Sequence, residues 1–216
     1  MKNILFTFLL TISMLVGFSA KKFEGVITYK ISYKNLPKEM GMYKAMLPKK
    51  SRIIIKNEWS KIEQNLGIIG KTQMINNSKT NKNIMLINAL GKKIAMEIKD
   101  TTSGKDASHF SVTKKEGFKI IAGYKCSKVV ISDTSNNTIT LWVTNELPTY
   151  KNSNLPNVDI GGFPMEYSME KDDMRMRMTA KKVTAKKIED KEFKIPKGYE
   201  MKTPEEMGEL MKGMKF

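Results

Sequence analysis

The stretch Phe23-Glu24-Gly25-Val26-Ile27-Thr28-Tyr29-Lys30-Ile31-Ser32-Tyr33-Lys34 decides the fold. Phe23, Gly25, Ile27, Tyr29, Ile31 and Tyr33 alternate with Glu24, Val26, Thr28, Lys30, Ser32 and Lys34. A period of two sustained this long is the pattern of a β-strand that buries one face, and it does not fit the 3.6-residue period of a helix. Leu36-Pro37 ends the run.

Working outward, Leu36, Met40, Tyr43 and Leu47 fall at i, i+4, i+7 and i+11, which predicts a short amphipathic helix closed by Pro48. Strands are then expected at 51–57, 58–66, 71–77, 81–90 and 92–99, separated by Gly70, Asn76-Asn77-Ser78 and Leu90-Gly91. Turns this short permit only hairpins, so the segment reads as an antiparallel meander. After a polar loop at 100–108, further strands are expected at 118–121, 124–132, 138–144, 164–170 and 174–187, with an irregular Pro/Asn/Gly-rich stretch at 147–162. Thr203-Pro204-Glu205-Glu206 is a capping box with proline at the first helical position, opening a helix at about 203–212. The expected fold is mainly β with two short helices, ten or eleven strands in one large curled antiparallel sheet. Such a sheet must curl or close.

The N-terminus reads as a cleavable secretory signal over 1–20. Lys2 is followed by the apolar run Ile4 to Val16 and by the small residues Gly17, Ser19 and Ala20. The run is shorter than the roughly 20 residues of a spanning helix. With no cysteine near the cleavage site there is no lipobox, and residues 21–216 are expected as one exported, soluble domain in the periplasm or outside the cell. Cys126 is the sole cysteine, which excludes a disulfide framework.

The formal charge is +16, from 38 Lys+Arg against 22 Asp+Glu. Only Arg52, Arg175 and Arg177 are arginines, the side chain that bidentate base and phosphate recognition prefers. With the export signal, this argues against nucleic acid and toward an anionic membrane surface as the partner of the basic residues. The C-terminal lysines Lys181, Lys182, Lys186, Lys187, Lys191, Lys194 and Lys197 read first as a solvated edge.

No catalytic or metal-binding constellation stands out, and no cofactor is implied. His109 is the only histidine, zinc sites of His and Cys are excluded by count, and no glycine-rich loop opens a helix. Glu170, Asp172 and Asp173 form an acidic turn. The unusual ingredient is methionine, 17 in the chain, with Met165, Met169, Met174, Met176 and Met178 crowding the last hairpin. Met174, Met176 and Met178 share one face of a strand, with Arg175 and Arg177 on the other. Core packing ranks ahead of a pliable ligand cavity. A Cu(I) thioether site ranks last, because neither histidine nor cysteine is near.

Several ordered segments resemble a known family: Ile121-Ala122-Gly123-Tyr124-Lys125-Cys126-Ser127-Lys128, Leu141-Trp142-Val143-Thr144, Glu146-Leu147-Pro148, and Gly161-Gly162-Phe163-Pro164-Met165. The opening Phe23 to Tyr29 strand and the closing Phe193-Lys194-Ile195-Pro196-Lys197-Gly198-Tyr199 match too. The resemblance is to a family of exported proteins common in Bacteroidota and grouped as a domain of unknown function. Its architecture is similar to the lipoprotein carriers and receptors of the Lol system, LolA and LolB. The resemblance implies a half-open antiparallel barrel whose concave apolar face accepts acyl chains. It implies no catalytic residues, and the sequence lacks the arginine associated with gating in a true carrier.

The expectation is therefore a non-enzymatic periplasmic binding protein. Its concave face would be lined by Ile27, Tyr29, Ile31, Met96, Trp142, Met165, Met174, Met176 and Met178, holding a lipid or other apolar group beneath the two helices. The alternative is a closed structural or interaction module of the cell envelope. In it the same residues form a filled core, and function lies on the loops at 100–108 and 150–162.

Overall fold

The computed structural model describes residues 23–41, 44–98, 109–134, 137–148, 158–171 and 174–213. The expected signal segment, the loop at 100–108 and the 150–157 part of the irregular stretch lie outside the described residues. The strands are β1 (Gly25–Lys34), β2 (Lys50–Lys56), β3 (Trp59–Asn65), β4 (Gly70–Asn77), β5 (Lys82–Ala89), β6 (Lys92–Glu97), β7 (Phe110–Ile121), β8 (Tyr124–Asp133), β9 (Thr138–Thr144), β10 (Phe163–Lys171), β11 (Met174–Ala185) and β12 (Glu200–Met201). One α-helix, α1 (Pro204–Gly213), follows.

All the described strands join one sheet in the order β12-β6-β5-β4-β3-β2-β1-β11-β10-β9-β8-β7. Neighbours are antiparallel except β12, which adds to β6 in parallel. Two meanders, β1 to β6 and β7 to β11, are thus fused edge to edge by the pairing of β1 with β11. The sheet is curled and unclosed, since β12 and β7 end it without pairing to each other. Twist accumulating over so many strands makes a flat sheet untenable.

The hairpins follow from local backbone chemistry. Leu90 and Gly91 have φ of 51° and 77°, and Ala122 and Gly123 have φ of 50° and 89°. Two successive positive φ values make the type I′ turn, whose twist matches that of paired strands. Asn57 and Asn81, with φ of 52° and 54°, exploit asparagine's tolerance of the left-handed region.

Apolar side chains collect on both faces. The inner face holds the larger cluster, including Ile27, Tyr29, Ile31, Ile53, Val129, Leu141, Met165 and Met178. The outer face of β1 to β6 buries Val26, Ile54, Ile75, Ile84, Leu86 and Ala95 beneath a strap formed by residues 186–199. Ile188 and Phe193 of the strap pack down, and Phe193 stacks on Trp59 with ring centroids 5.8 Å apart. Lys56 Nζ pins the strap by donating to the Ile188 carbonyl at 2.7 Å and to Asp190 at 2.6 Å.

Three local expectations are corrected. The predicted helix across Leu36, Met40 and Leu47 is a single 3-10 turn at Lys38–Met40 followed by turns; Tyr43 lies outside the described residues. Glycine at position 41 and prolines at 37 and 48 leave too short a segment for a stable helix. Instead the β1–β2 connection folds back as far as Gly67. There φ is +65°, and a Cβ would approach the Ala45 carbonyl to 2.7 Å. Next, β7 begins at Phe110 rather than at 118. Finally, the lysine-bearing strap is laid across the outer face rather than forming a sheet edge.

Candidate apolar binding face

Cross-strand register defines the inner face. In an antiparallel sheet, directly opposed residues point to the same side. Val183, Ile27, Ile53, Ile62, Met74, Met85 and Met96 are successive partners across β11, β1, β2, β3, β4, β5 and β6. Ile27 and Ile53 in this row are 0% and 2% exposed. Burial declines outward, and Met74, Met85 and Met96 are all half-buried. On the other half of the sheet, Val129, Leu141, Tyr167, Met178 and Ile31 form a second row, and Ile131, Ile139, Met169, Met176 and Tyr33 a third.

The expected site residues therefore divide into three groups. Ile27, Tyr29, Ile31, Met165 and Met178 lie together in the core and are at most 5% exposed. Tyr29 donates from its hydroxyl to the Pro164 carbonyl at 2.9 Å, and Tyr167 donates to Met178 Sδ at 3.2 Å. Met96, Met174 and Met176 are half-buried on the same face. Met176 packs against the core from β11, while Met96 stands at the far end of the first row on β6.

Trp142 is corrected. It opposes Lys128 and Glu166, whereas its neighbour Leu141 opposes Val129 and Tyr167, so Trp142 is turned away from the inward rows and packs half-buried against the edge of the main cluster. A shift of one residue along a strand reverses the face. There Lys119 Nζ lies 4.4 Å from the Trp142 ring centroid and 2.6 Å from Glu166, which also accepts from Thr179 at 2.7 Å.

The sequence reading named Met96 and missed its partners Met74 and Met85. The signal was present: hairpin turns at Lys79-Thr80 and Leu90-Gly91 place residues 74, 85 and 96 opposite one another. No one strand carries a conspicuous methionine cluster, so the row emerges only when three strands are aligned.

Among the described residues no three His, Cys, Asp or Glu side chains stand together as a metal site. Cys126 is fully buried, and burial pushes its thiol up to about 11, far from thiolate at neutral pH. His109 precedes the end of β7 that opposes Asp133, so about 23 Å of strand, seven residues, separates its surroundings from Cys126. Among the described residues no helix is long and apolar enough to cross a membrane.

Residues 23–199, from the approach to β1 through the strap, match the family model for a domain of unknown function, DUF4412. The chain belongs to that family. The DUF4412 fold is also similar to solved structures. PNGF-II matches with a TM-score of 0.53 and 16% identity, over 84% of this chain and 31% of that one, so the chain spans about a third of PNGF-II. MucB matches at 0.47 and 9%, over 82% and 59%. The Mycobacterium tuberculosis lipoprotein LppX matches at 0.39 and 7%, over 79% and 91%. At such identities the PNGF-II likeness speaks to the fold alone. No curated protein sequence matches the chain.

Proposed function

We propose that this DUF4412 domain is a non-enzymatic binding protein of the cell envelope, exported by its N-terminal signal, that holds a lipid acyl chain or similar apolar group on its inner face. The observation that carries the reading is the row Met74, Met85 and Met96, half-buried on β4, β5 and β6, which extends from the sealed core at Ile27 and Ile53. Isoleucines occupy the sealed end, where shape is fixed. Methionines occupy the accessible end, where unbranched, polarizable side chains adapt to a flexible occupant. Tyr29, Met165 and Met178, expected as lining, serve in this reading as the packed floor that holds the row in place.

Titration with an apolar fluorescent probe tests it. Wild-type protein binds the probe, and the double variant Met74→Asp/Met85→Asp weakens binding at least tenfold while keeping the β-sheet circular dichroism. Equal binding by both proteins, or none by wild type, removes the proposal. The second reading, a closed module, is favoured by the complete burial of Ile27, Leu141 and Met165. It predicts no probe binding and places function on the loops.

A further inference from the structure

On the opposite face of the same strands lies a groove of about 400 Å³, between β3 to β6 and the flank of the strap. Its floor is set by register. Glu63, Gln73 and Leu86 are cross-strand partners, and Lys71, Asn88 and Lys93 form the adjacent row. The strap contributes Lys194, Lys197 and Tyr199 as the facing wall.

The charges in this groove are unequal once pairs are accounted for. Glu63 accepts from Arg52 at 2.8 Å and from Gln73 at 2.7 Å, and lies 3.2 Å from Lys61. Glu192 accepts from Lys61 at 2.7 Å, which holds its carboxyl below the usual range. Arg52 and Lys61 thus balance both carboxylates inside the fold, and Lys61 is itself 7% exposed. Among the described residues Lys71, Lys93 and Lys197 have no ion pair, and Lys194 has only a longer-range attraction to Asp190, whose carboxylate is bonded to Lys56. Four ammonium groups from three separate elements, β4, β6 and the strap, face one concavity, over a floor carrying the Gln73 and Asn88 amides.

We propose that this groove is a binding site for a phosphate-bearing ligand, a small polyanion such as a phosphorylated sugar or glycerol head. Several convergent lysines act as point charges that suit an anion of more than one charge; a lone carboxylate would leave most of them unmatched, and the planar pairing that arginine supplies is missing. The volume falls in the range of small-molecule sites. The site is separate from the methionine row. Gln73 and Leu86 are chain neighbours of Met74 and Met85, so the two surfaces lie back to back with the sheet between them.

Calorimetric titration of the full chain with inorganic pyrophosphate tests the proposal, beside sedimentation with phosphatidylcholine vesicles containing phosphatidylglycerol. Pyrophosphate binds at low salt and weakens as salt screens the lysines. Lys71→Glu/Lys93→Glu and Lys194→Glu/Lys197→Glu each lower its affinity at least tenfold, whereas Met85→Asp leaves it unchanged. Vesicle binding that pyrophosphate displaces identifies a lipid headgroup as the source of the phosphate. Pyrophosphate binding without vesicle binding identifies a soluble ester, and both results uphold the groove. Absence of pyrophosphate binding at low salt, or binding indifferent to both charge reversals, overturns it.

Discussion

The thiol of Cys126 shows how burial sets chemistry at the scale of one residue. It sits in the main cluster with Val129 and Ile131, donates from Sγ to the Tyr124 carbonyl at 3.4 Å, and its pKa rises from 9.0 to about 11 because the thiolate is desolvated. A folded-state pKa above the unfolded one means the neutral form favours the native state, so this contribution is complete below pH 9. It is lost as pH climbs from 9 through 11. The shift corresponds to about 3 kcal/mol at the alkaline limit. Urea midpoints measured across that interval fall more for wild type than for Cys126→Ala, after the variant's constant cost of the vacated volume is subtracted. In folded protein at pH 8 the thiol resists alkylating reagents and reacts only after denaturation. This residue was legible as a small buried hydrophobe from its apolar neighbours alone, because valine and isoleucine at 129 and 131 announce a core strand. The face on which Trp142 lies was not, since a single-strand pattern cannot reveal which of two adjacent bulky residues, Leu141 or Trp142, faces in.

Among elements, the hairpins were the most readable and the crossovers the least. Strands β2 to β6 follow from turn residues at 57, 81 and 90–91, whose backbone demands are local. The first half of β7 escaped because Ser111 to Gly117 is exposed throughout and, apart from Val112, lacks large apolar side chains, as suits the outermost strand of a sheet. The β1–β2 connection misled because its apolar spacing is helical while its length and its glycine and prolines are not. The strap at 186–199 escaped for another reason: its anchors Ile188 and Phe193 are isolated apolar residues whose partners, Val26, Ile54 and Trp59, lie far away in sequence. Phe193 is 6% exposed and stacked on Trp59, so Phe193→Ala costs about 3 kcal/mol. Chemical denaturation reads that loss. Hydrogen exchange places it first at residues 188–199 and at β12, with β8 to β10 still protected. Uniform loss of protection across both meanders would show that the strap does not open by itself.

The whole molecule is a curled sheet with two dissimilar faces, whose two meanders the pairing of β1 with β11 joins. One face grades from isoleucine core to half-buried methionines, and the other holds a strap and a lysine-lined groove. That division was only partly visible beforehand. The excess of lysine was plain in composition and the inward apolar face in the Phe23 to Lys34 alternation. The convergence of Lys71 and Lys93 with Lys194 and Lys197 required the strap to be placed. The central claim is that the accessible end of the methionine row holds an apolar ligand. Native mass spectrometry of the protein extracted gently from its own envelope tests it most directly. Wild type is expected to carry a non-covalent mass increment matching an acyl lipid, and Met74→Asp/Met85→Asp to lack it. Bare polypeptide mass in wild type, or the same increment on both proteins, would contradict the account.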